Sequence, residues 1–123
     1  DRVLFARKKK STLFVSLHFN WAKNTVCRGV EVFYFEKKSD LRSSLSKQAA
    51  ELCLQSILSH TPLPSRGVKH GNFYVVRETP MPAVLIESGF FSNSEDVLFL
   101  KQKANRTKLA FAIAKAIDQF CRR

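Results

Sequence analysis

The sequence predicts an α/β domain built on a mixed, mostly parallel sheet with helices on both faces. Three observations carry this expectation. Residues 83–86 are a short, unbroken apolar run introduced by Pro80 and Pro82, the pattern of a strand buried on both faces. Residues 12–20 are a second β-rich run, and like the first it delivers a polar side chain, His18, at its carboxyl end. Between them Leu41, Leu45, Ala49, Leu52 and Ile57 recur at helical spacing, and strands and helices stay interspersed to the C-terminus without internal repeats. With 123 residues and 45% hydrophobic content, the chain suffices for one domain that buries roughly two-thirds of its extended-chain surface.

Residues 1–10 read as a helix whose basic end, Arg7 to Lys10, suits the helix dipole. Ser11 and Thr12 open the first strand, with Leu13, Val15 and Leu17 on one face and Phe14 and His18 on the other. Large apolar groups on both sides predict burial between layers. The connection 20–29 is too short for a helical crossover, so the strand at 30–35 is expected to run antiparallel to the first. Glu31 then begins near His18, where it either supports a site or pairs with Arg28 or Lys23. Ser39 or Asp40 caps the long helix. Pro62 and Pro64 break the chain into an irregular loop ending in Arg66-Gly67-Val68-Lys69, and residues 72–77 are expected as a short strand. The basic loop is either a wall of a substrate groove, with Arg66 or Lys69 meeting peptide carboxylates, or a solvated turn made by Gly67. Glu87 is expected where the 83–86 strand stops, Ser88 and Gly89 turning the backbone. Phe90 and Phe91 then fold over the sheet edge, Ser94 caps a helix, and Asn105 opens the last one, whose Leu109, Ile113, Ala116, Ile117 and Phe120 pack on the sheet.

Twenty-one Lys and Arg against ten Asp and Glu give a formal charge of +11, which draws the domain towards polyanions. No aromatic platform or groove-reading motif accompanies the basic run at Arg7-Lys8-Lys9-Lys10, so no nucleic-acid partner is expected. The three cysteines are odd in number and far apart, which indicates neither a disulfide framework nor a cysteine zinc site. Apolar stretches are too short to span a bilayer. The chain begins at Asp1 without an initiator Met, as a processed chain or an excised fragment would.

In open α/β sheets ligands bind beyond the carboxyl ends of the strands. If the runs at 12–20 and 83–86 are parallel members of one sheet, His18 and Glu87 converge at the same edge, an imidazole beside a carboxylate, which suits a metal and its bound water. The residues alone leave open a hydrogen-bonded structural His and a Glu paired with a nearby cation. His60 and His70 are given no catalytic role.

Residues 14–20 (FVSLHFN), 29–34 (GVEVFY), 66–69 (RGVK), 73–77 (FYVVR) and 82–93 (PAVLIESGFFSN) occur in this order with matching gaps. Together they closely resemble the zinc-dependent N-acetylmuramoyl-L-alanine amidases that cut bacterial cell wall, over essentially the whole chain. The resemblance implies a single amidase-like catalytic domain over residues 1–123, with Zn2+ as cofactor, peptidoglycan as partner and the cell envelope or periplasm as location. It makes His18 a zinc ligand and Glu87 the catalytic carboxylate, with Asn20 and Glu31 as candidate substrate-binding residues. In that family the first His and the Glu ligand lie in an N-terminal segment built around Gly-His-Gly, which this sequence does not contain. His70-Gly71 falls in a different, matching loop. The expectation is therefore an N-terminally truncated domain that lacks its first strands, with one sheet edge unpaired and two zinc ligands missing, inactive by itself. The alternatives are a non-catalytic cell-wall-binding module with an incomplete metal site and, disfavoured by the ordered motifs, a basic nucleic-acid-binding domain.

Overall fold

The computed structural model describes residues 1–123. In chain order the elements are α1 (Arg2–Lys8), β1 (Phe14–Asn20), β2 (Val30–Tyr34), α2 (Leu41–His60), β3 (Ser65–His70), α3 (Tyr74–Arg77), β4 (Ala83–Phe90), α4 (Ser94–Leu100) and α5 (Lys103–Cys121). The strands make one mixed sheet in the order β1-β4-β2-β3. β1 is parallel to β4 and β2 to β3, whereas β2 and β4 are antiparallel. β2 thus opposes β1 in direction, as expected, but pairs with β4, which lies between them.

Side chains alternate across a strand, so each inner strand feeds two layers. Val30, Val32, Tyr34, Val84 and Ile86 join Ala49, Cys53, Ile57, Leu109, Ala112, Ile113 and Phe120 in the main core, packed against α2 and α5. Each fully buried aliphatic side chain there contributes about 1.5–3 kcal/mol. Cys53 is one of the fillers: burial pushes its thiol up to about 12, far from reactive thiolate. The opposite face carries a thinner cluster of Ala83, Leu85 and Val76, bordered by Phe14, Phe33 and Phe35. Glu31 and Glu87 share the alternation of Phe33 and Leu85, so the candidate site lies on this thin side, away from the long helices.

Several expectations are corrected. The basic segment taken for a loop is β3, paired with β2. Its charged side chains are those of an edge strand, and only Val68 packs against the main core. Residues 72–77 are not a strand: the β-branched pair Val75-Val76 sits in the four-residue helix α3, because Val76 closes the thin core and tertiary burial overrides propensity. Arg42 of α2 secures that turn by donating to the carbonyls of Val76 and Thr79, each at 2.9 Å. β1 is an edge strand and is not buried between layers. Leu13 and Val15 pack against the main core, but Leu17 is left 60% exposed. Phe90, expected to fold over the sheet edge, is instead the buried last residue of β4, while Phe91 is exposed and stacks on Phe19 at 4.6 Å between ring centroids. Asp40 caps α2. α4 is capped by Asn93, whose carboxamide oxygen accepts from both Glu95 and Asp96, rather than by Ser94. α5 opens at Lys103 instead of Asn105.

The strand holding Glu87 also runs further than expected, to Phe90. Ser88 and Gly89 do not turn the chain; they form a bulge. Between His18↔Glu87 and Asn20↔Phe90 the register advances two residues on β1 and three on β4. Gly89 absorbs the extra residue at φ +109°, where a Cβ would crowd Leu100 and Asp96. The Asp96 side chain, wholly buried, organises this corner. Its Oδ2 accepts from the N–H of Phe90 at 2.9 Å and of Gly29 at 2.8 Å, and its Oδ1 pairs with Arg28 at 3.3 Å. Asp96→Ala leaves two buried N–H groups without an acceptor and Arg28 with Glu95 alone, and we expect a loss of about 3 kcal/mol in urea unfolding. A loss below about 1 kcal/mol would mean that water replaces the carboxylate.

Candidate active site

Taken across the sheet, the thin face presents an imidazole from β1, a carboxylate from β4, a second carboxylate from β2 and an ammonium from β3. The register pairs His18 with Glu87 and Glu31 with Glu87. Neither expected residue ends its strand, since β1 and β4 continue past them. They converge because the two strands are parallel and adjacent.

Glu87 is half-buried, and its Oε2 is a buried atom with no hydrogen-bond partner. Loss of hydration, followed by the negative charge of Glu31 opposite, holds the Glu87 carboxyl above its usual range. A carboxylate so placed takes up a proton more readily than a free one. Glu31 is the reverse case. It is buried and accepts from Asn20 Nδ2 on Oε1 at 2.8 Å and from Lys69 Nζ on Oε2 at 2.7 Å. Arg66 Nε lies 3.4 Å from the same Oε2. Glu31 therefore ties β1, β2 and β3 together beneath the site. Its cations are Arg66 and Lys69, not the expected Arg28 or Lys23. Arg28 is taken by Glu95 and Asp96.

His18 Nε2 lies 2.8 Å from Ser16 Oγ, two residues back on the same face of β1. This contact fixes the ring and leaves Nδ1 for another partner. Sequence reasoning missed Ser16, although its spacing from His18 was a readable signal. The other histidines lie elsewhere: His70 Nδ1 accepts the Glu36 N–H at 2.9 Å, and His60 Nδ1 is 2.7 Å from the Ser56 carbonyl. Cys27 is half-buried with a free thiol. A concavity of about 870 Å³ opens at the far end of β2 among Lys37, Asp40, Ser44 and Lys47. It holds no imidazole or thiol, so the chemistry sits on the shallow sheet face instead.

A catalytic zinc takes three protein ligands. No three His, Cys, Asp or Glu side chains are grouped to hold a metal ion. His18 offers one imidazole, Glu31 is occupied by Asn20 and Lys69, and Glu87 offers one free oxygen. These residues fit one ligand position and a proton acceptor, which is part of such a centre.

An imidazole and an orphaned carboxylate on adjacent strands of a mixed sheet are groups suited to proton transfer to and from water. The profile of the N-acetylmuramoyl-L-alanine amidases matches residues 1–119, and the chain belongs to this family. It is 33% identical over 113 residues to the N-acetylmuramoyl-L-alanine amidase LytC of Bacillus subtilis, covering 92% of this chain and 22% of LytC. Among solved structures, the catalytic domain of the amidase CwlV from Bacillus (Paenibacillus) polymyxa var. colistinus superposes with a TM-score of 0.87 at 34% identity. That match covers 97% of this chain and 63% of CwlV's. An N-acetylmuramoyl-L-alanine amidase from Clostridium difficile 630 gives a TM-score of 0.90 at 30% identity, covering 98% and 63%. The chain spans from about a fifth to a little over half of the length of the curated relatives it matches, 22% for LytC and 56% for the protein YqiI of Bacillus subtilis. No helix of the structure is long and apolar enough to cross a membrane.

Proposed function

We propose that these residues carry the catalytic carboxylate of a peptidoglycan amidase that cuts the amide between N-acetylmuramic acid and L-alanine, in the bacterial cell envelope. The observation that carries this reading is the buried, unpartnered Oε2 of Glu87 beside His18 on a sheet of amidase topology. The names of the relatives, cell-wall amidases among them, support the substrate and a location in the cell envelope.

In this reading Glu87 Oε2 accepts the proton of the attacking water and returns it to the leaving amine of L-alanine. Its lack of a competing hydrogen bond leaves the lone pair available for that transfer. His18 is the residue of this chain that would hold Zn2+, with Ser16 fixing its ring. When bound, the ion polarises the amide carbonyl and lowers the pKa of a water. Asn20 and Glu31 form the floor against which the peptide lies.

A second reading, a wall-binding module without turnover, is favoured by the single imidazole at the site. Three ligands hold a catalytic zinc and one does not, and a chain of charge +11 repels a dication. The 123 residues alone are therefore expected to release essentially no stem peptide from peptidoglycan at ordinary zinc concentrations. A longer polypeptide carrying the family's N-terminal ligand segment should release it. Equal rates from both would show that other residues of this chain complete the site; no release from either would leave the binding module as the function.

A further inference from the structure

The β3 side of the site carries more positive charge than its partners neutralise. Lys69 and Arg66 share one carboxylate, Glu31. An ammonium has three donors and Lys69 gives one to Glu31, so two remain. The Arg66 guanidinium lies 5.0 Å over the Phe90 ring, and its Nε is buried without a hydrogen-bond partner. Both side chains reach solvent, 44% exposed for Lys69 and 33% for Arg66, while Glu31 beneath them is 8% exposed. The result is a fixed anion holding two cations at the wall of the site, with one positive charge in excess.

Position gives this excess a meaning. Lys69 leans back to Glu31 on β2, and β2 is the immediate neighbour of the Glu87 strand. Adjacent strands are about 4.8 Å apart, and an extended peptide advances about 3.3–3.6 Å per residue. A peptide whose scissile amide lies at Glu87, and which runs across the sheet towards β3, therefore brings its second residue to the cations. We propose that Lys69 and Arg66 determine substrate selection: they take a free carboxylate on the second residue of the peptide, so the acid is bound in preference to the carboxamide. This rests on the reading that Glu87 marks the scissile amide. Glu31 holds both cations in place, and its own charge repels a carboxylate that would settle deeper.

The test is calorimetric titration of the 123-residue chain, with a chelator present so that nothing is hydrolysed. Two synthetic N-acetylmuramoyl-L-alanyl dipeptides are compared that differ only in a carboxylate or a carboxamide on the second residue. The acid is expected to bind on the order of tenfold more tightly, with the preference shrinking as salt is raised. Lys69→Met and Arg66→Gln should bring the acid-to-amide ratio towards one, and Lys69→Arg should preserve it. Equal Kd values for the two ligands in the parent chain overturn the inference while leaving the amidase reading intact. So does an unchanged ratio in well-folded Lys69→Met and Arg66→Gln proteins. Failure to bind either ligand overturns the amidase reading together with the inference.

Discussion

Glu87→Gln is expected to lower amide hydrolysis by about 100-fold or more in a protein whose metal site is complete, with zinc content unchanged. The carboxamide is nearly isosteric, but at the position of Oε2 it offers no group that accepts a proton. The parent carboxyl is held above its usual range by burial and by Glu31, so the acid limb of its pH–rate profile should also lie above that of a free glutamate. The same shift predicts the sign of the stability change. A raised folded-state pKa means the charged form is disfavoured in the folded protein. The stabilisation it gives is present below the unfolded pKa and is lost as pH rises through the folded one. At neutral pH the ionised Glu87 therefore works against folding, and the Gln variant should unfold at the same temperature as the parent or higher. Turnover of purified muropeptide near the parent rate would remove Glu87 from the proposed role. A lower unfolding temperature would refute the electrostatic account of it.

His18→Ala is expected to weaken zinc binding by at least about tenfold in the same metal-complete protein, as measured by metal content after dialysis. His60→Ala and His70→Ala should leave it nearly unchanged, since each of those rings is engaged with backbone on another part of the surface. Only His18 lies in register with Glu87, its ring held by Ser16. If His70→Ala lost zinc as fully as His18→Ala, the ligand assignment would be wrong.

The parts of this site that could be read from sequence are those written in local pattern. The apolar runs ending near His18 and Glu87 marked two strands, and the absence of a crossover after Asn20 brought Glu31 to the same end. What escaped depends on pairing between distant segments. β3 has no apolar alternation because only one of its residues reaches the main core, so its charges read as loop. The run at Val75-Val76 has strand composition, yet it is bent into a helical turn by burial against Leu85. The sequence Ser88-Gly89 is compatible with a turn or a bulge, and the difference is made by Asp96 accepting two backbone N–H groups from across the chain. Lys69 and Arg66 were readable as basic residues, but that both converge on Glu31 is a matter of β2–β3 register.

The strand order has a consequence for how the chain comes to be folded. β2, α2 and β3 are consecutive and can close on themselves as a βαβ unit. Within these 123 residues β1 pairs with β4, which is made after β2 and β3. During synthesis β1, whose Leu17 and Phe19 are exposed, has to wait for β4 while the intervening segments emerge. Contacts between such distant segments form slowly because the loop must be closed before they are rewarded. Insertion of β4 is then the step that joins β1 to the βαβ unit and first sets His18 beside Glu87. Pairing of His18 with Glu87 and the joining of these four strands are one late event, and until it occurs β1 lacks β4 and the nascent chain presents that strand edge to any neighbour able to pair with it.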